Sequence, residues 1–74
     1  GQCMTRQIQF KSAADIKSFN SIASSSNGSI LLHTGEFSVD ARSLLGLLSL
    51  DYTKPINCEA DNDDFFCKIS AFLI

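Results

Sequence analysis

Apolar positions recur along this chain with two different periods, and each change of period marks an element. Met4 to Phe10 alternates, with Ile8 and Phe10 on one side and Gln7 and Gln9 on the other, which predicts a strand wet on one face. Ser12 with Asp15 three residues later approximates a capping box, and Ile16, Phe19, Ile22 and Ala23 follow at helical spacing. A first helix is therefore expected over 13–24. Ser24-Ser25-Ser26-Asn27-Gly28 stops it, because serine and asparagine compete for backbone hydrogen bonds and glycine takes positive φ readily. Ile30-Leu31-Leu32 then starts a second strand, Phe37, Val39 and Ala41 alternate along a third, and Thr34-Gly35 between them predicts the tight turn of an antiparallel hairpin.

The period changes again after the hairpin. A short helix is expected from Asp40 or Arg42 to Leu50, and it holds five leucines within seven residues, Leu44 to Leu50. At about 100° per residue these wrap more than one face, whereas a helix lying on a core needs a single apolar stripe. Some of them must face solvent or a partner. Pro55 donates no ladder hydrogen bond and suits the start of a fourth strand, whose core side takes Ile56, Cys58 and Ala60. Asp61, Asn62, Asp63 and Asp64 supply a cap and negative charge for a last helix, with Phe65, Ile69 and Phe72 at i, i+4 and i+7. The order βαββαβα predicts an α+β open-faced sandwich: a four-stranded antiparallel sheet with three helices on one face.

Composition narrows the class without naming a function. The 74 residues make a single domain, 1–74, and a chain of this length buries only about 60% of its unfolded surface. With 45% hydrophobic and 19% charged residues, it is expected to fold rather than stay disordered. The net charge of −2 and six scattered basic residues gather no field for a phosphate backbone, so nucleic acid is not expected as a partner. Apolar runs fall well short of the roughly 20 residues of a membrane helix, and no charged-then-apolar signal opens the chain. Neither secretion nor membrane insertion is expected. Cys3, Cys58 and Cys67 are odd in number and lack CxxC spacing, which favours reduced thiols and a cytoplasmic setting.

The segment Gly35 to Leu50, above all Arg42-Ser43-Leu44-Leu45-Gly46-Leu47-Leu48-Ser49-Leu50 behind a hairpin, resembles the region around the regulatory serine of HPr, the histidine-containing phosphocarrier of the bacterial sugar phosphotransferase system. The element order resembles HPr over nearly the whole chain; the residue-level likeness is confined to this segment. The resemblance places Ser43 at the serine that a dedicated kinase modifies in some bacterial lineages. It also assigns Leu47 and Leu50 to the core and leaves Leu44, Leu45 and Leu48 as the surface on which partner proteins dock. The plain alternative is that Ser43 only caps the second helix and that packing or a homodimer consumes the leucines.

The family's catalytic signature departs here. HPr proteins carry a histidine followed by arginine and proline where strand one meets helix one, roughly Gly-Leu-His-Thr-Arg-Pro-Ala, whereas this junction reads Phe10-Lys11-Ser12-Ala13-Ala14-Asp15. Ser12 is the best match to the histidine position, the arginine has no counterpart, and Lys11 precedes the site. The expectation is a divergent HPr-like chain that has lost histidine phosphotransfer, is not an enzyme, and serves as a regulatory docking module for proteins of the phosphotransferase and carbon-regulation network. Two alternatives stand beside it: a working phosphocarrier, and a structural self-associating protein; the expected state is monomer or weak homodimer.

The remaining chemistry-bearing residues have plain readings. His33, the sole histidine, is expected to be a partly exposed strand residue without a chemical role. No cofactor or metal is expected, since three unpaired cysteines and one histidine lack tetrahedral-site spacing. Asp61 to Asp64 fails as a calcium loop because Phe65 holds a ligand position and the turn glycine is missing.

Overall fold

Side-chain alternation divides the sheet into a dry and a wet face. The computed structural model describes residues 4–74 and contains strands β1 (Met4–Ile8), β2 (Ile30–Thr34), β3 (Phe37–Asp40) and β4 (Ile56–Ala60), with helices α1 (Ala13–Ser24), α2 (Leu44–Leu48) and α3 (Asp63–Lys68) and a closing 3₁₀ turn, Ser70–Phe72. The strands lie in the order β1-β4-β2-β3, every pair antiparallel, with Ile8 opposite Ile56, Leu32 opposite Cys58 and Leu32 opposite Val39. Ile8, Ile30, Leu32, Ile56, Cys58 and Ala60 point to one side and are buried with Ile16, Phe19, Leu47, Phe65 and Ile69 of the helical layer. On the other face Thr5, Gln7 and Asn57 are exposed, and Leu31, His33 and Glu59 are half-buried. This is the open-faced α+β sandwich expected from the sequence.

Aromatic rings knit the helical layer. Phe19 of α1 meets Phe10 at 5.2 Å, Phe65 at 5.6 Å and Phe72 at 6.1 Å between centroids, each edge-to-face. Such pairs add about 0.5–1.5 kcal/mol each beyond their buried area. The ring thus joins α1 to the segment after β1, to α3 and to the C-terminal turn. Arg6, at the sheet margin, lies over Phe66 at 5.8 Å.

Several boundaries differ from those expected, each for a local reason. β1 ends at Ile8 rather than Phe10: the Gln9 amide bonds Phe72 O at 2.9 Å, and Phe10 turns in to meet Phe19 and Phe72. The capping box at α1 does not form. The Ser12 hydroxyl makes no cap bond, and Asp15 reaches one residue further back, accepting the Lys11 amide at 2.9 Å. α2 starts later than Asp40 or Arg42 because the Asp40 carboxylate accepts the Arg42 amide and Asp40 O accepts the Ser43 amide, which holds this stretch in a turn. It stops at Leu48, where Ser49 bends its hydroxyl back to Gly46 O at 2.6 Å. α3 likewise ends at Lys68, and Phe72 lies in the 3₁₀ turn that follows. The Thr34–Phe37 turn places positive φ only at Gly35, +58°, the pattern of a type II′ hairpin turn.

Cys58 is fully buried in β4, Cys67 is exposed on α3, and neither is in a disulfide; Cys3 lies outside the described residues. Burial pushes the Cys58 thiol up from its ordinary 9.0 to about 12. Because the folded value is the raised one, its contribution to stability is intact below about pH 9 and is lost as the pH climbs toward 12. In a Cys3→Ser background, a thiol reagent at pH 8 is expected to label Cys67 promptly and Cys58 only on unfolding; equal rates would refute this packing of β4. Phe19→Ala removes the hub of the ring cluster and is expected to cost about 3–5 kcal/mol in a urea melt, a large part of the ~4–11 kcal/mol available to a domain this size.

Candidate docking surface on the second helix

α2 is too short to hold itself together, since isolated helices below about 12–15 residues are marginal in water. Its position therefore comes from neighbours. The Ala41 amide bonds Ile30 O at 3.0 Å, and Asn20 Nδ2 of α1 donates to Ala41 O at 3.2 Å, fixing where the chain enters the helix. Arg42 Nη2 donates to Ser26 O at 2.6 Å and to Gly28 O at 2.8 Å, so one guanidinium clamps the serine loop against the start of α2. Gly46 lets the helix lie close on β3, because a Cβ there would meet Val39 Cβ at 3.3 Å and Ser43 Oγ at 3.1 Å.

Ser43 is the N-cap. Its backbone is extended and its Oγ accepts the Gly46 amide at 3.2 Å, while the residue itself is exposed. The leucines divide between two sides. Leu47 is fully buried and Leu50 is 8% exposed; Leu44, Leu45 and Leu48 are 36%, 84% and 43% exposed. The helix carries no charged side chain, so the three exposed leucines, Ser43 and Gly46 form an uncharged apolar surface.

The other candidates lie apart from it. At the start of α1 Lys11 and Ser12 are exposed, with no imidazole, and Asp15 already occupies the Lys11 amide with negative charge. Phosphoryl transfer through nitrogen needs an imidazole at such a place, and Ser12 supplies none while Asp15 adds a carboxylate. His33 is on the open face of the sheet, away from every helix, with Nε2 3.4 Å from Glu59 Oε2. Asn62 caps α3 by accepting the Phe65 amide at 3.0 Å, with Asp63 and Asp64 in its first turn. Among the described residues no three His, Cys, Asp or Glu side chains converge as metal ligands, and no helix is long and apolar enough to cross a membrane.

Two contributors escaped sequence reasoning. Arg42 read as one scattered cation, and nothing in the sequence marks the loop carbonyls it holds. Phe37 lies on the helix side of the sheet by alternation, yet it is 73% exposed, since β3 is an edge strand and the ring sits beyond the helices. No family model, curated protein or solved structure matches the chain.

The split of the leucines predicts contrasting variants. Leu47→Ala is expected to destabilise by about 2–5 kcal/mol and Leu45→Ala by less than about 0.5. Ser43→Ala is expected to cost about 1 kcal/mol through the lost cap. Urea midpoints for the three variants check all of this, and equal losses for Leu45 and Leu47 would contradict the arrangement of α2.

Proposed function

We propose that this chain is an HPr-like docking module of the bacterial sugar phosphotransferase network, without phosphohistidine chemistry, that binds protein partners through Leu44, Leu45 and Leu48. The observation that carries the reading is the uncharged apolar surface of α2. Those three leucines stay exposed while Leu47 and Leu50 pack into the core. A soluble domain leaves large apolar side chains clustered at the surface at a cost in solubility, and a partner that covers them offsets it. The resemblance around Ser43 supplies the network, and reduced thiols suit the cytoplasm as its setting.

Ser43 gives the module its modulation. A phosphate there adds a dianion beside an uncharged leucine surface and removes the apolar match for one partner while creating a charge-assisted one for another. Loss of the carrier function is read from the start of α1, where Ser12 stands at the histidine position and the arginine has no counterpart. The module is not an enzyme in this reading.

The test runs two reactions on the purified chain and reads intact mass. Phosphoenolpyruvate with the first enzyme of the phosphotransferase system is expected to leave the chain unmodified, and ATP with the serine kinase to add one acid-stable phosphoryl group at Ser43. Leu45→Ser with Leu48→Ser is expected to keep the fold and to abolish binding to that kinase. An acid-labile phosphate from the first reaction would restore the carrier reading. Concentration-dependent sedimentation abolished by the same two substitutions would replace docking with self-association.

A further inference from the structure

A second surface lies at the far end of α2. The β2–β3 turn and β3 form one wall of an open groove of about 640 Å³, and the C-cap of α2 with the loop beyond it forms the other. Val39 and Leu50 make its floor, and the ring of Phe37 stands exposed beside them. Among the charged side chains around this floor, carboxylates outnumber cations two to one. The Glu36 carboxylate makes no hydrogen bond or ion pair among the described residues. Asp51 is held ionised, its carboxyl lowered by the hydroxyl and amide of Thr53. The Ser49 hydroxyl has already given its hydrogen to Gly46 O, which leaves its oxygen as an acceptor. Lys54 is the one cation of the lining, and its ammonium is 3.9 Å from Asp51. Exposed pairs of this kind contribute little, and Lys54 lies beside Asp51 while Glu36 is left unmatched.

We infer that this groove takes an arginine-bearing extended segment of a partner protein. An aliphatic side chain of the segment lies on Val39 and Leu50, and the neighbouring guanidinium stacks on Phe37 and donates to Glu36. A guanidinium meets both demands at once, because its plane packs on an aromatic face while its edge carries donors for a carboxylate. An acidic segment is disfavoured by the unmatched Glu36 carboxylate. The groove is separate from the leucine surface, so the two sites stand or fall independently.

The experiment titrates the isotope-labelled full chain with acetyl-Gly-Arg-Leu-Arg-Gly-amide and, in parallel, with its glutamate counterpart, following backbone amide shifts. The arginine peptide is expected to saturate shifts at Gly35, Phe37, Val39 and Ser49 with a Kd of about 0.1–1 mM, and doubling the salt is expected to weaken it. Glu36→Lys is expected to weaken binding about tenfold or more, and Phe37→Ser about fivefold, with amide shifts elsewhere unchanged to show that the fold is kept. Equal binding of the glutamate peptide, no saturation by ~10 mM, or shifts confined to Leu44, Leu45 and Leu48 would each overturn the inference. Movement of the groove resonances on raising protein concentration without peptide would do so as well, by making a second copy the occupant.

Discussion

The edge-to-face contacts of Phe19 are the constraint on which the rest of this structure depends. A single ring on α1 touches Phe10, Phe65 and Phe72, which belong to three separate stretches of chain. Sheet pairing alone leaves the helical layer free to slide, because hydrophobic burial is non-directional. Three edge-to-face ring contacts remove that freedom, since each fixes an orientation as well as a distance. The neighbouring Asn20 then passes the position of α1 on to the next element through its bond to Ala41 O.

What α2 presents follows from that chain of positions. A five-residue helix has almost no stability of its own, so its axis is set by Ala41, Leu47 and Leu50 below, by Val39 beside Gly46, and by Arg42 on the serine loop. Leu45 and Leu48 are left over by this geometry: at about 100° per residue they point well away from the side on which Leu47 is buried, and Leu44, one turn before Leu47, lies at the margin, 36% exposed. Burial and exposure are here two consequences of one rotation about the helix axis. The uncharged character of the surface is a property of the sequence, while its location is a property of the core.

Much of the fold could be read before the structure. α1, the order of all seven elements and the burial of Ile56, Cys58 and Ala60 follow from period, because each side chain faces where a strand or helix of ordinary geometry puts it. The division of the leucines was legible only through resemblance, since the helical period alone gives no phase to a segment with leucine on every side. Two of the misread features, the start of α1 and the start of α2, share a cause: a short polar side chain chose a different local partner. Asp15 bonds the Lys11 amide instead of closing a box with Ser12, and Asp40 bonds the Arg42 amide, holding the chain in a turn where a helix was expected. Such choices differ by about 1 kcal/mol and are decided by the path of the flanking chain, which a linear pattern does not contain. The Arg42 clamp was illegible for the same reason, because its acceptors are backbone carbonyls common to every residue.

The start of α1 and the start of α2 differ in a way that bears on which of them can carry chemistry. α1 is twelve residues long and has the stronger dipole, yet Asp15 places a carboxylate against the amides there and the flanking hydroxyl of Ser12 bonds to nothing. Negative charge at that end stabilises the helix and repels a phosphoryl donor in the same measure. α2 is short and weakly polarised, but no acidic residue lies in its first turn, and the exposed Ser43 hydroxyl holds only one long bond to Gly46. The strong helix terminus thus carries a stabilising carboxylate, and the weak one carries an exposed serine without an acidic neighbour in its first turn. In the proposed modulation, a phosphate on Ser43 would set a dianion beside the first-turn amides of α2 while the buried Leu47 kept the helix in place, so charge on this surface would change without moving it.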